Sequence, residues 1–252
     1  MLKNKDGILP LEEKLNVYIP QRYIAPGRDW FGRQISERWV DAVNLDVVKK
    51  YYNLVSTPDQ ADVALVFISV PRAGSGYSPD DLRNGGNGYM PISLQYKPYT
   101  ADYAREHSIA GGSVFEDFTN RSYKGKNVKT ANESDLNMVI DTREKMGNKP
   151  VIVIINVSNP VVLNELESKT DALLIHVGIQ DQAIMDIISG EAEPSGLLPF
   201  QMPSGMRTVE EQYEDVPRDM ECYTDSEGNT YDFAFGLHWS GIINDDRVRK
   251  YK

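Results

Sequence analysis

The chain has 252 residues, of which 40% are hydrophobic and 25% charged, a composition that can bury a full globular core. Its net charge of −10 argues against a nucleic-acid partner, because phosphate binding needs clustered Lys and Arg. A single cysteine, Cys222, excludes an intramolecular disulfide, and His107, His176 and His238 are too scattered to read as a metal cluster.

From the N-terminus, Asn4-Lys5-Asp6-Gly7 reads as a turn, and a start there leads us to expect a further segment upstream. The first residues lack a signal-peptide hydrophobic region, and no apolar run approaches the roughly 20 residues that span a bilayer. No membrane partner is expected, and the compartment is left open. Leu15–Ile19 and Ala61–Ile68 are strand candidates, and Trp39 to Tyr52 reads as partly helical. Residues 71–129 are rich in Gly, Pro, Tyr, Ser and Asn with little periodicity, which predicts a loop-rich, ordered insertion with a helical piece over Tyr99 to His107.

The regular part follows. Asn132 or Ser134 can cap a helix with Leu136, Val139, Ile140 and Met146 on one face, and Gly147 and Pro150 end it. Val151–Val157 is a β-branched run of the kind buried on both faces of a parallel sheet. Asn159-Pro160 predicts an N-cap and first turn of a second helix ending before Thr170. Ala172–Val177 is another buried strand, and Asp181 opens a helix that Gly190 terminates. Leu197–Phe200 reads as a short strand. This alternation predicts an α/β fold with right-handed βαβ crossovers. The acidic surplus from Glu210 to Asp232 reads as a solvated surface.

Several phrases, in order along the chain, carry a resemblance. They are Lys3-Asn-Lys-Asp-Gly-Ile-Leu-Pro-Leu11, Lys149-Pro-Val-Ile-Val-Ile-Ile-Asn156, Glu193-Pro-Ser-Gly-Leu-Leu-Pro-Phe200 and Tyr231-Asp-Phe-Ala-Phe-Gly-Leu-His-Trp-Ser240. Together they resemble the C-terminal domain of glycoside hydrolase family 3, which holds many β-glucosidases and β-xylosidases. The resemblance implies a three-layer α/β/α sandwich with a mostly parallel, roughly six-stranded sheet. It covers 1–252 as one domain. It also implies a partner: an N-terminal TIM-like barrel that supplies an Asp nucleophile, for which this length leaves no room. The domain would shape a saccharide site, and in many family members it contributes the acid/base. Retaining hydrolysis needs two carboxyls about 5–5.5 Å apart, so the isolated domain would be inactive.

In many members the acid/base is a Glu in a Gly-Glu-Gly-Tyr-Asp loop after the strand equivalent to Val63–Ile68. The matching residues here are Gly74-Ser75-Gly76-Tyr77-Ser78, so Ser75 stands where the Glu would be. Serine cannot protonate a glycosidic oxygen near neutral pH. The candidate acid/base residues are therefore Asp81 first, then Asp80, Glu116 and Glu106. Arg72, Ser75, Tyr77, Asn87 and Tyr89 are the candidate sugar-facing groups. Trp30, Trp39 and Trp239 could stack on sugar rings, although Trp239 fits packing better.

Competing readings are weaker. Gly74-Ser75-Gly76 lacks the Gly-Lys-Ser/Thr ending of a phosphate loop, and Gly85-Gly86-Asn87-Gly88 lacks the context of a dinucleotide fingerprint. No cofactor is expected. His176 lies in a buried strand pattern, as a core histidine would. Asn120, Asn132 and Asn156 begin glycosylation sequons, the last at a buried strand end. The alternative from another class is a free-standing, non-catalytic carbohydrate-binding or interaction module.

Overall fold

The computed structural model describes residues 1–12, 14–28, 31–107, 121–213 and 216–251. The main sheet has six strands: β1 Lys3–Asn4, β2 Asn16–Tyr18, β3 Asn53–Val55, β4 Val63–Ser69, β5 Val151–Asn156 and β6 Ala172–His176. Their spatial order is β1-β6-β5-β4-β2-β3. Strands β2 to β6 run parallel, and β1 pairs antiparallel with β6 at one edge.

The alternation of side chains across the pleat builds two cores at once. Ala64, Val66, Ile68, Val151, Val153 and Ile155 point to one face, where Leu136 and Val139 of α3 (Glu133–Met146) cover them. Val63, Leu65, Phe67, Ile152 and Ile154 point to the other. There they meet Ile184, Met185 and Ile188 of α4 (Asp181–Ser189) and Val48 of α1 (Leu45–Val48). The result is a three-layer α/β/α sandwich. Three further short helices lie among the described residues: α2 Pro79–Arg83, α5 Met206–Glu211 and α6 Asp246–Tyr251. No described helix is long and apolar enough to cross a membrane.

The caps follow local chemistry. Gly147 and Gly190 end α3 and α4 at φ of 59° and 83°. At Gly190 a Cβ would stand 2.8 Å from Pro10, so the backbone approach also needs glycine. Asn132 precedes α3 without capping it, because its side chain is used elsewhere, as described below.

Several sequence expectations are corrected. The segment after Pro160 is not an α-helix. Val161, Val162, Leu163 and Leu166 are all buried, and a helix turning 100° per residue would have exposed part of that run. The backbone instead pairs Val162 N with Leu94 O at 2.9 Å and closes in a short 3-10 turn, Glu167–Lys169. Tyr99 to His107 is not helical either. Tyr99–Thr100 pairs antiparallel with Asn127–Val128, and Tyr99 enters a third small core with Ala101, Ala104, Val162 and Met206. Trp39 to Tyr52 is partly helical as expected: α1 occupies Leu45–Val48, while Arg38–Val40 is the second strand of a hairpin with Arg22–Ile24. Leu197–Phe200 is irregular, although Leu198 still exchanges backbone hydrogen bonds with Ala234 and Phe235.

The acidic tail is not uniformly solvated. Glu210 is buried and accepts from the hydroxyls of Tyr99 and Tyr123 at 3.0 and 2.9 Å. Asp225 is buried too and receives Tyr231 Oη at 2.8 Å. Asn132 is buried, whereas Asn156, expected at a buried strand end, is exposed. His176 is only half-buried. Burial lowers its pKa, while Asp181 opposes that shift.

Candidate functional site

The candidate site begins where β4 ends. Asp135, on the inner face of α3, is fully buried and forms a two-pronged ion pair with Arg22, at 2.7 Å to Nε and 2.6 Å to Nη2. The same carboxylate accepts Ser69 N at 3.2 Å and Asn132 Nδ2 at 2.8 Å. Asn132 also donates to Val70 O at 3.1 Å, and its Oδ1 accepts Arg72 N at 2.8 Å. Tyr96 Oη donates to Ser69 O at 2.7 Å. These bonds fix the direction in which residues 70–73 leave the sheet.

Beyond that exit the chain folds into a small platform. Ser78 caps α2 by accepting Asp81 N at 3.2 Å, with Pro79 in the first turn. The chain then returns through Gly85 to Gly88, so that Tyr77 and Tyr89 bridge antiparallel with their rings edge-on at 6.2 Å. Lys126 ties the platform together. Its Nζ donates to Asp81 Oδ2 at 2.6 Å, Asn87 Oδ1 at 2.6 Å and Tyr89 O at 2.8 Å. Asp81 Oδ2 also accepts Gly88 N at 2.8 Å, and Asn87 Nδ2 donates to Ser122 O at 2.7 Å. At Gly86 a Cβ would stand 2.2 Å from Asp81 Oδ2, so a larger residue there would displace the Asp81 carboxylate.

The platform gathers Ser75, Tyr77, Asp81, Asn87 and Tyr89. Ser75 is exposed, with its Oγ donating to Tyr77 O at 3.0 Å. Arg72 is also exposed at the edge of this unit, and its side chain has no hydrogen-bond or ion-pair partner among the described residues. Two carboxylates stand apart: Asp80 is exposed and pairs with Arg83, and Glu106 is exposed and pairs with Lys124 at 3.2 Å. Glu116 lies outside the described residues, as do Trp30 and Asn120. Trp239 is half-buried against the second core, whereas Trp39 is exposed.

The hydrogen bond from Lys126, and then that from Gly88 N, hold the Asp81 carboxyl below the usual carboxylate range. Asp81 is therefore an ionised acceptor in this arrangement. Sequence reasoning missed Lys126, which lies 45 residues beyond Asp81 in a segment with no periodicity to place it. It also missed the Arg22–Asp135–Asn132 knot. One signal was present: Asp135 directly precedes Leu136 on the apolar face of a well-patterned helix, and a carboxylate there needs a buried cation.

The model of the glycosyl hydrolase family 3 C-terminal domain matches residues 1–239. The chain belongs to this family. It is 25% identical over 208 residues to a probable beta-glucosidase C of Aspergillus flavus, covering 82% of this chain and 25% of that protein. It is 22% identical over 206 residues to a periplasmic beta-glucosidase/beta-xylosidase of Dickeya chrysanthemi, covering 81% of this chain and 24% of that one. A crystal structure of a beta-glucosidase from Chaetomella raphigera shares the fold, with a TM-score of 0.50 and 18% identity over 94% of this chain and 34% of that one. The chain thus spans about a quarter of the length of these two curated relatives.

In this family 3 C-terminal domain the platform depends on one lysine. Replacing Lys126 with Met removes three hydrogen bonds and leaves a carboxylate only partly exposed. The pair is about one-quarter exposed, so water recovers part of the loss and the destabilisation should stay local to the platform. Hydrogen exchange at Gly88 N and Ser78 N is expected to accelerate severalfold, because both amides depend on the turn that Asp81 and Lys126 hold. The global urea midpoint should barely move.

Proposed function

We propose that this domain forms one wall of the sugar site of a β-glycosidase of the β-glucosidase or β-xylosidase kind. It would work against an N-terminal TIM-like barrel that supplies the nucleophile for O-glycosyl hydrolysis. The observation that carries this reading is the platform itself. Its inward groups, Asp81 and Asn87, are committed to Lys126, while the Arg72 guanidinium, the Ser75 hydroxyl and the Tyr77 ring stay exposed. Fixed, partly apolar groups of this kind suit a saccharide, which presents C–H faces and hydroxyl edges. The match to a beta-glucosidase of which this chain covers 25% supports a partner domain.

The candidates for the acid/base are Asp81, Asp80, Glu116 and Glu106. A general acid needs its proton affinity raised. Asp81, held ionised by Lys126, meets that requirement only if the assembled enzyme draws Lys126 away. In the two-domain protein, Asp81→Ala should slow aryl β-glycosides with poor leaving groups far more than activated ones, if Asp81 is the acid/base. Equal loss on both would assign it to anchoring alone.

The wider test is hydrolysis of 4-nitrophenyl β-glucoside and β-xyloside, with no turnover expected from this chain and turnover expected from the two-domain protein. An inert two-domain protein that still bound oligosaccharides would favour the non-catalytic module. The serine at position 75 is the one feature that points that way.

A further inference from the structure

A second feature stands apart from the platform. The hairpin of Arg22–Ile24 and Arg38–Val40 sets Tyr23 opposite Trp39, with ring centroids 5.3 Å apart and planes tilted by 57°. Tyr23 is pinned by its hydroxyl, which donates to Glu37 Oε2 at 2.6 Å. Trp39 is 64% exposed. An indole supported by a second ring and open on its other side is an unusual use of a large apolar group.

This indole borders a groove of about 820 Å3 between the hairpin and α3. That volume falls within the roughly 300–1,000 Å3 typical of small-molecule sites. The far wall is one stripe of α3, made by Ser134, Asn137, Asp141 and Lys145 at spacings of three and four residues. None of these four side chains has a hydrogen-bond or ion-pair partner among the described residues. On the near wall, Gln21 Nε2 donates to Asp41 Oδ1 at 3.0 Å, which holds the hairpin base in place.

The chemistry of the walls narrows the occupant. Asp41 and Asp141 repel phosphates, and a single Lys145 does not make a basic cluster, so a nucleotide or nucleic acid is a poor fit. Tyr18, Ile19, Pro20, Leu45 and Met138 line the groove beside these polar groups, so the purely apolar face of a helix would leave the α3 stripe unpaired. A neutral polyol with an apolar face fits both parts: its C–H face covers the indole, and its hydroxyls meet amide, carboxylate and hydroxyl groups that can donate or accept.

We propose that the groove between Trp39 and the outer stripe of α3 is a second saccharide-binding site, for a β-linked oligosaccharide. It goes beyond the function proposed above, because none of the platform residues lines it.

The test is calorimetric titration of the domain with cellotetraose and with xylotetraose. At least one should bind. Trp39→Ala should weaken that binding about tenfold or more, as loss of a stacked aromatic anchor does, and Asn137→Ala about threefold. Both positions are exposed, and an unchanged urea midpoint confirms that the variants fold. Tyr77→Ala, in the platform, should leave the Trp39-dependent affinity within about twofold, since 0.4 kcal/mol is the margin of a remote substitution. Failure of both oligosaccharides to bind overturns the proposal. So does binding that survives Trp39→Ala and is lost in Tyr77→Ala, a result that would leave the platform reading intact.

Discussion

Asp135→Ala is expected to cost about 3–5 kcal/mol, read as a fall in the urea midpoint at an unchanged slope. Domains of this size hold roughly 5–15 kcal/mol in total, so the variant would sit near the edge of folding. The reason is what remains. The Asp135 side chain is fully buried and that of Arg22 is 16% exposed, so removing the carboxylate strands a guanidinium that water reaches poorly. Ser69 N and Asn132 Nδ2 lose an acceptor at the same time. Changing both partners should be milder than the single changes imply. Arg22→Met with Asp135→Leu leaves no uncompensated charge, and its loss should fall short of the summed single losses by about 1–3 kcal/mol. If the losses simply add, the ion pair is not coupled and the knot is held by its other bonds. A loosened knot also reaches the platform, because Asn132 holds Arg72 N.

Much of this fold was legible in the residues. The runs Val63–Ile68, Val151–Ile155 and Ala172–Leu174 are apolar on both sides of the pleat, and only a sheet covered on both faces accepts such runs. Gly147 and Gly190 marked the helix ends because few other residues take a positive φ. Asn159-Pro160 misled because it is a good local start signal whose continuation, Val161-Val162-Leu163, is wanted in the core on every side. Tertiary burial outweighed the local cue.

The site was less readable for a related reason. Ser75, Tyr77 and Asn87 were candidates through the resemblance of their loop, and the fold brings them together because they lie close in sequence. Lys126, which ties Asn87 to Asp81 and Tyr89 O, returns from a distant strand pair, and nothing in its neighbours indicates a partner at Asp81. The buried roles of Glu210 and Asp225 were hidden in the same way. Their tyrosine donors, Tyr99, Tyr123 and Tyr231, are set by topology and not by spacing.

The edge strand β1 offers the second large effect. Lys3 pairs with Glu167 with both side chains 3% exposed, and Glu167 also accepts Tyr223 Oη at 3.0 Å and Ser226 Oγ at 2.9 Å. Burial alone would raise the Glu167 pKa, but the hydrogen bonds from Lys3, Ser226 and Tyr223 together hold it below its ordinary value of 4.5. A lowered folded pKa contributes stability that is fully present above 4.5 and is lost as pH falls through the folded value. Lys3→Met reverses this sign. Without the ammonium the burial penalty prevails, so the folded pKa of Glu167 should rise above its unfolded value, and the carboxylate becomes a liability at neutral pH. The variant should lose about 3–5 kcal/mol at pH 7. The deficit should shrink as the pH is lowered towards 4.5, because a protonated Glu167 no longer needs the cation. Urea unfolding of both proteins between pH 7 and pH 4 measures this directly. A deficit constant across that range would mean that Lys3 acts through the packing of its methylenes and the β1–β6 pairing, with no part played by the charge of Glu167.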